Sequence, residues 1–346
     1  MAVPTEADEI WRYSRIDDLD FSAFSDVVDA PATVSGITSS TRRSKALIPA
    51  DRDVFCALVD TLAKPVVISA TRNETPDPVH VFHDLTPFDS KVTVARLVIE
   101  AAESADVTVI HHVRSDDVTG LFLPIVEIEL AQAARVRYVM VQELGPRMFQ
   151  IGSQASRTHR DATLSTMAVA LGGSYARLRA DAEILDRGGH NELLAVYFGE
   201  ANQMHDFRTV QHHVAPNTTS DLVFKGAVED HARSVYSGLI KLGPNARRTV
   251  ASQTNRNLIL SATASAESVP TLEIENNDVK CNHASTIGPI DDDQRYYLES
   301  RGVPSDAATR LIVIGFFADL LERIPDPELR ARLNDAIVEK FDRRSA

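Results

Sequence analysis

Between Pro65 and Asn282 apolar residues come in short runs with a period of two, and this limits the fold more than any other feature of the chain. The segments VVIS, HVFHD, VTVIHHV, IVEIEL, VRYVMVQEL, MFQIGS and ATLSTMAVA read as strands, followed by YARLRADAEI, LLAVYF, FRTVQHHV, DLVFKGAV, SVYSGLIKL, LILS and TLEI. Gly, Asn, Asp or Pro bounds each of them. From about Val136 to Val250 they begin every 11 to 19 residues. One helical pattern interrupts early, VTVARLVIEAAESAD at 92–106. Short, regular strands with little helix between them leave a sandwich, a barrel or a stacked β-helix. Periodicity does not separate these three. Small polar residues on both faces, as in SQASR and TLSTM, suit a solenoid with narrow layers slightly better than a sandwich.

The flanks read differently, which divides the chain into 1–64, 65–290 and 291–346. The first segment is mixed helix and loop. Phe21 and Phe24 are spaced for one helix face, and Asp51 is placed to cap a helix through Phe55, Cys56, Leu58, Val59 and Leu62. Cys56 falls inside that apolar pattern and reads as a core thiol. The last segment is helical. Asp293 to Ser300 forms a short helix ended by Gly302. Ser305 caps a second, with Ala308, Leu311, Ile312, Phe316, Leu320 and Ile324 as its apolar positions, and Pro325 stops it. Asp326 and Pro327 open a third, carrying Leu329, Leu333, Ile337 and Phe341.

Several function classes drop out. A net charge of −13 gives no basic face for nucleic acid or anionic lipid. Neither GxGxxG nor GxxxxGK[ST] occurs, so this chain is not expected to bind nucleotide itself. GxSxG, HExxH and CxxC are missing too. With two cysteines, an acidic N-terminus without an apolar stretch and no long apolar run, the chain reads as cytoplasmic, with no membrane span. His111-His112 and His212-His213 are neighbours on strands and point to opposite faces, so neither pair chelates one ion. Asp291–Asp293 precede a helix and read as capping charges.

Cys281 and His283 are the strongest candidates for chemistry. In an extended run residues i and i+2 share a face, so a thiolate and an imidazole look the same way. That pair suits soft or borderline metals and iron in iron–sulfur chemistry. A CxH pair alone is weak, since lone Cys and His are more often core residues. Three blocks add to it: QHHVAPNTTSDLVFKGAVEDHARSVYSGLIKL at 211–242, TVASQTNRNLILSATASAESVPTLEIENNDVKCNHASTIG at 249–288 and YYLESRGVPSDAATRLIVIGFFADLL at 296–321. With EIWRYS at 9–14, they resemble the SufB/SufD family of iron–sulfur cluster assembly proteins, on its SufD side.

The resemblance implies a mainly β chain, a right-handed parallel β-helix core flanked by N- and C-terminal helical segments. It implies a non-catalytic scaffold that works with a SufB-like paralogue and a SufC-like ATPase. His283, with Cys281 beside it, would face the junction between the two paralogues and hold iron or a transient iron–sulfur cluster. Arg301, Gly302, Gly315, Phe316 and Phe317 would belong to the helical face that docks the ATPase, with Phe316 or Phe317 turned outward. Two alternatives stay open. One is a homodimeric scaffold acting without the paralogue. The other is a β-helix enzyme acting on carbohydrate, with Glu127 and Glu129 as its paired carboxylates.

Overall fold

The computed structural model describes residues 2–37, 42, 44–72 and 77–343. Two sheets of nine strands each stack face to face along one trunk. One sheet contains, in spatial order, Lys91–Ala101, Gly120–Leu130, Met148–Thr158, Tyr175–Ile184, Met204–His213, Arg233–Leu242 and Ser265–Ile274. The other contains Val79–Asp84, Asp106–Arg114, Arg135–Glu143, Thr163–Ala170, His190–Gly199, Thr219–Val228, Thr249–Ile259 and Val279–Gly288. Consecutive strands alternate between sheets, and every pairing among these strands is parallel. Of the three architectures that periodicity left open, the chain adopts the parallel β-helix.

The corners explain how the coil repeats. Ser104, Ala133, Asp161, Gly188, Asn217 and Arg248 all take positive φ, between 54° and 80°, at intervals of 27 to 31 residues. Five of the six are not glycine, at about 1–2 kcal/mol each for the left-handed backbone. Corner N–H groups bond to the next rung, as in Ala133 to the Arg160 carbonyl at 2.8 Å. The hydrogen-bonded ladder therefore continues around the bend.

Side chains between the sheets form the central core, with Tyr138, Tyr197, Phe224 and Tyr236 among its largest members. The outer face of each sheet has its own cover. Over the first lie Trp11, Ile16, Leu19, Ile48 and the helix α1, Val54–Leu62, which packs Phe55, Cys56 and Val59 inward. Over the second fold three C-terminal helices: α2 (Asp292–Ser300), α3 (Ser305–Leu321) and α4 (Pro327–Asp342). Phe317, Leu320, Leu333, Ile337 and Phe341 from α3 and α4 pack on Val139, Val169, Val196 and Phe198 of the trunk. Lys340 anchors α4, donating to the Leu171 carbonyl at 2.7 Å and to Glu200 at 3.0 Å.

Four local expectations change. Residues 92–106 form no helix; Lys91–Ala101 is a strand buried on both faces, so its polar alternation is lost and its apolar residues mimic a helical stripe. The helix α1 is capped by Asp53 and not Asp51, through a bond from the Cys56 N–H at 2.8 Å. Ser305 is the first residue of α3, and Pro304 occupies its cap without a side-chain bond. The strand expected at LILS instead covers Thr249–Ile259, because its inward residues Gln253, Asn255 and Asn257 are polar and gave no alternation of apolar residues.

The two ends of the trunk differ. At the first, the edges are the three-residue strands Val27–Asp29 and Thr33–Ser35, with Pro65–Ala70 beside the former, and Thr33–Ser35 runs antiparallel to its neighbour. At the second, the full-length strands Ser265–Ile274 and Val279–Gly288 each have a neighbour on one side only.

Candidate functional site

The open second end carries the thiol and imidazole singled out in the sequence. Val279–Gly288 pairs in parallel with Thr249–Ile259, placing Cys281 beside Ala251 and His283 beside Gln253. Ala251, Gln253, Asn255 and Asn257 are the buried, inward residues of their strand. Their register partners Cys281, His283, Ser285 and Ile287 therefore occupy the inward face of the last rung. Among the described residues no further strand stacks on that rung. His283 is exposed, and Cys281 is half-buried against Ile240, Leu242, Ala246 and Ala251. Its apolar surroundings push the Cys281 thiol above its ordinary pKa.

The facing sheet ends in the same way. Ser268, Pro270 and Leu272 pair with the inward Tyr236, Gly238 and Ile240, and the large apolar side chains of Val269, Ile274 and Ile287 are exposed around this end. Pro270 interrupts the donors of its own edge, whereas Val279–Gly288 contains no proline and leaves a continuous unpaired edge. As for ligands, Cys281 and His283 supply two. Among the described residues no group of three or more His, Cys, Asp or Glu could hold a metal ion. A tetrahedral metal or a cluster iron bound here needs ligands beyond these two.

The C-terminal helices divide the second set of candidates. Phe317 is 0% exposed within the helix–trunk core, so it does not face outward. The reason is spacing: Val313, Phe317, Leu320 and Leu321 lie along one stripe of α3, and that stripe meets the sheet. Phe316 is half-buried, with the Lys225 ammonium 5.2 Å from its ring centre. Arg301, Gly302 and Gly315 are exposed. Gly302 has φ +88° and ends α2. Among the described residues Tyr296 and Tyr297 are the most exposed of the large apolar side chains, and Leu311 is 50% exposed. The tyrosines were not picked out individually from the sequence, although the YYL block contains them, and Leu311, read as one of the apolar positions of α3, lies on its outer side.

Other candidates resolve into bonded structure. Glu127 is buried and accepts from Arg42 at 2.8 Å and from the backbone N–H groups of Leu47 and Ile48. Glu129 bonds His159 at 2.8 Å, so both carboxylates of the carbohydrate-enzyme alternative already hold partners. His111 lies between His83 at 2.8 Å and the Tyr138 hydroxyl at 2.9 Å, while His112 turns to the other face and meets His80 at 3.2 Å. Buried His213 bonds Thr218 and Ser220, and His212 looks out toward Glu183. Cys56 is buried, as expected of a core thiol. Gln253 was missed entirely; a polar residue at an inward position of a poorly alternating strand was its one signal.

Comparison with known proteins adds an independent line. A family model described as the SUF system FeS cluster assembly SufBD core domain matches residues 85–316. An iron-sulfur cluster assembly SufBD family protein of Mycobacterium tuberculosis is 30% identical over 361 residues, covering 98% of this chain and 90% of that protein. The corresponding protein of Mycobacterium leprae is 30% identical over 355 residues, with 97% and 90% covered. The iron-sulfur cluster assembly protein SufD of Escherichia coli is 28% identical over 287 residues, with 81% and 68% covered.

Proposed function

The chain belongs to the SufB/SufD family of iron–sulfur cluster assembly proteins, and on that premise we propose that it is a SufD-like scaffold subunit that completes its site against a SufB-like paralogue. The observation that carries this reading is the open trunk end, where an unpaired strand edge brings Cys281 and His283 to the surface with too few ligands of their own. A partner strand added to that edge would satisfy its free N–H and C=O groups and cover the apolar rim. The same contact would place the partner's ligands beside the imidazole. The nascent cluster is then cargo built at the junction, and His283 and Cys281 are this subunit's share of its ligands.

The ATPase docks, in this reading, on the exposed side of α2 and α3 formed by Tyr296, Tyr297, Arg301, Gly302, Leu311, Gly315 and the open edge of Phe316. Because α3 and α4 are bolted to the outer face of the second sheet, ATP-driven movement of the ATPase pulls on the trunk itself. Strain delivered there biases the junction between closed and open states. Among the described residues no helix is long and apolar enough to cross a membrane.

The test is His283→Ala in the complex co-expressed with the paralogue and ATPase, purified without oxygen. Intact assembly with reduced iron and acid-labile sulfide is the expected result. Full iron and sulfide content would remove His283 from the site. Mass measurement of the same preparation distinguishes a mixed complex from a homodimer.

A further inference from the structure

Gln253 sits one rung inside His283 and is its register partner. It is 1% exposed, yet neither its Nε2 nor its Oε1 has a hydrogen-bond partner among the described residues. Leaving such a group open costs about 1–3 kcal/mol, and folded interiors keep few of them. Asn191, Gln211, Gln150 and His205 also carry open atoms, and the first two line a small cavity of about 10 Å³, close to the room one water needs. Gln253 lies instead next to the open end. Across the interior stands Gly238, where a Cβ would come within 2.8 Å of the Gln253 Nε2. On the last strand of the facing sheet, Ser268 leaves its buried Oγ open too.

We infer that Gln253 is a positioning residue for His283: its carboxamide oxygen accepts the imidazole N–H in the assembled site. This deepens the function proposed above and rests on it. Imidazoles that hold metal commonly donate their second N–H to a neighbouring acceptor, which fixes the tautomer and aims the free lone pair. A carboxamide does so without adding charge.

The test compares Gln253→Leu, His283→Ala and the double variant in the anaerobically purified complex. Gln253→Leu is expected to leave the melting temperature unchanged or raised, because an apolar side chain of similar size replaces an open amide. Iron and sulfide are expected to fall by about 10-fold. The double variant should lose no more than His283→Ala alone. A melt lowered by several degrees would mark Gln253 as structural and overturn the inference, as would retained iron and sulfide. A larger loss in the double variant would show action independent of His283 and overturn it as well. Loss in His283→Ala with none in Gln253→Leu sinks this inference alone. Full content in His283→Ala sinks the functional reading and this inference together.

Discussion

The guanidinium carbon of Arg177 lies 4.1 Å from the centre of the Trp11 ring. The same arginine donates to the Ile10 carbonyl at 2.6 Å, and Arg208 reaches the Arg12 carbonyl at 2.7 Å. Both arginines share the buried carboxylate of Asp206, which also accepts from the Tyr175 hydroxyl at 2.7 Å. A short N-terminal motif, Glu9 to Ser14, is thus clamped to the trunk by charges planted in two adjacent rungs.

Trp11→Ala is therefore expected to cost about 3–5 kcal/mol, the usual range for deleting a large buried ring. Urea unfolding followed by circular dichroism measures it. Trp11 is the one tryptophan of the chain, so fluorescence of the unmodified protein reports docking of this arm. A loss below about 1 kcal/mol would mean that the arm is held without its ring.

The two faces of α3 should respond in opposite ways to a new charge. Phe317→Asp places a carboxylate in the helix–trunk core and should lower the melting temperature sharply. Leu311→Asp changes an exposed position, so its melt should match the parent while co-purification of the ATPase is lost. Retained ATPase in Leu311→Asp would move the docking surface elsewhere.

Acid should destabilise the chain through its histidines. Burial pushes His83, His112 and His213 down to about 4 and His205 to about 3, with His111 also held well below its ordinary value. These rings are neutral in the fold and protonate near 6.5 when unfolded. Their contribution is full above about 6.5 and is lost as pH falls toward 4. His159 runs the other way: burial alone would lower it, but bonds to Asp186 and Glu129 and the charges of both outweigh that and raise it. Its clamp across three rungs is complete below about 6.5 and is lost as pH rises through the raised value. Urea midpoints should fall from pH 7 to pH 5, and His159→Gln should matter more at pH 6 than at pH 9. A flat profile from pH 7 to pH 5 would contradict this account.

The two thiols should separate cleanly in a labelling experiment. Burial, aided by Asp53, pushes Cys56 up to about 12, whereas Cys281 is raised by burial alone and is half-exposed at the open end. In the native isolated chain Cys281 should react with a disulfide reagent, faster as pH rises, and Cys56 only on unfolding. A partner seated on the open end should protect Cys281. Equal reactivity of both thiols before unfolding would refute the assignment of Cys56 to the core.

The alternating runs between Pro65 and Ile274 made most strands legible, and caps such as Asp326 with Pro327 made the C-terminal helices legible. What stayed hidden has physical causes. Lys91–Ala101 is buried on both faces and loses its alternation, while Thr249–Ile259 turns amides inward and shows no apolar period. The coil repeat was masked because its left-handed corners use Ser, Ala, Asp, Asn and Arg where glycine would have marked them. At the candidate site, strand spacing predicted that Cys281 and His283 share a face. It gave no sign of Gln253, because an unpaired amide is visible only once its surroundings are assembled. Phe316 and Phe317 are adjacent, and only packing decides which one the trunk takes.

The two tips of the trunk are unlike as templates for a further layer. At the far tip the edge is broken into Val27–Asp29, Thr33–Ser35 and Pro65–Ala70, one of them reversed, a poorer template for another parallel layer than the whole unpaired strand at the near tip. Under the proposed pairing, two such bodies meeting near tip to near tip would turn their far tips outward, which disfavours further stacking into a fibre. In that arrangement the short strands at the far tip would cap the stack.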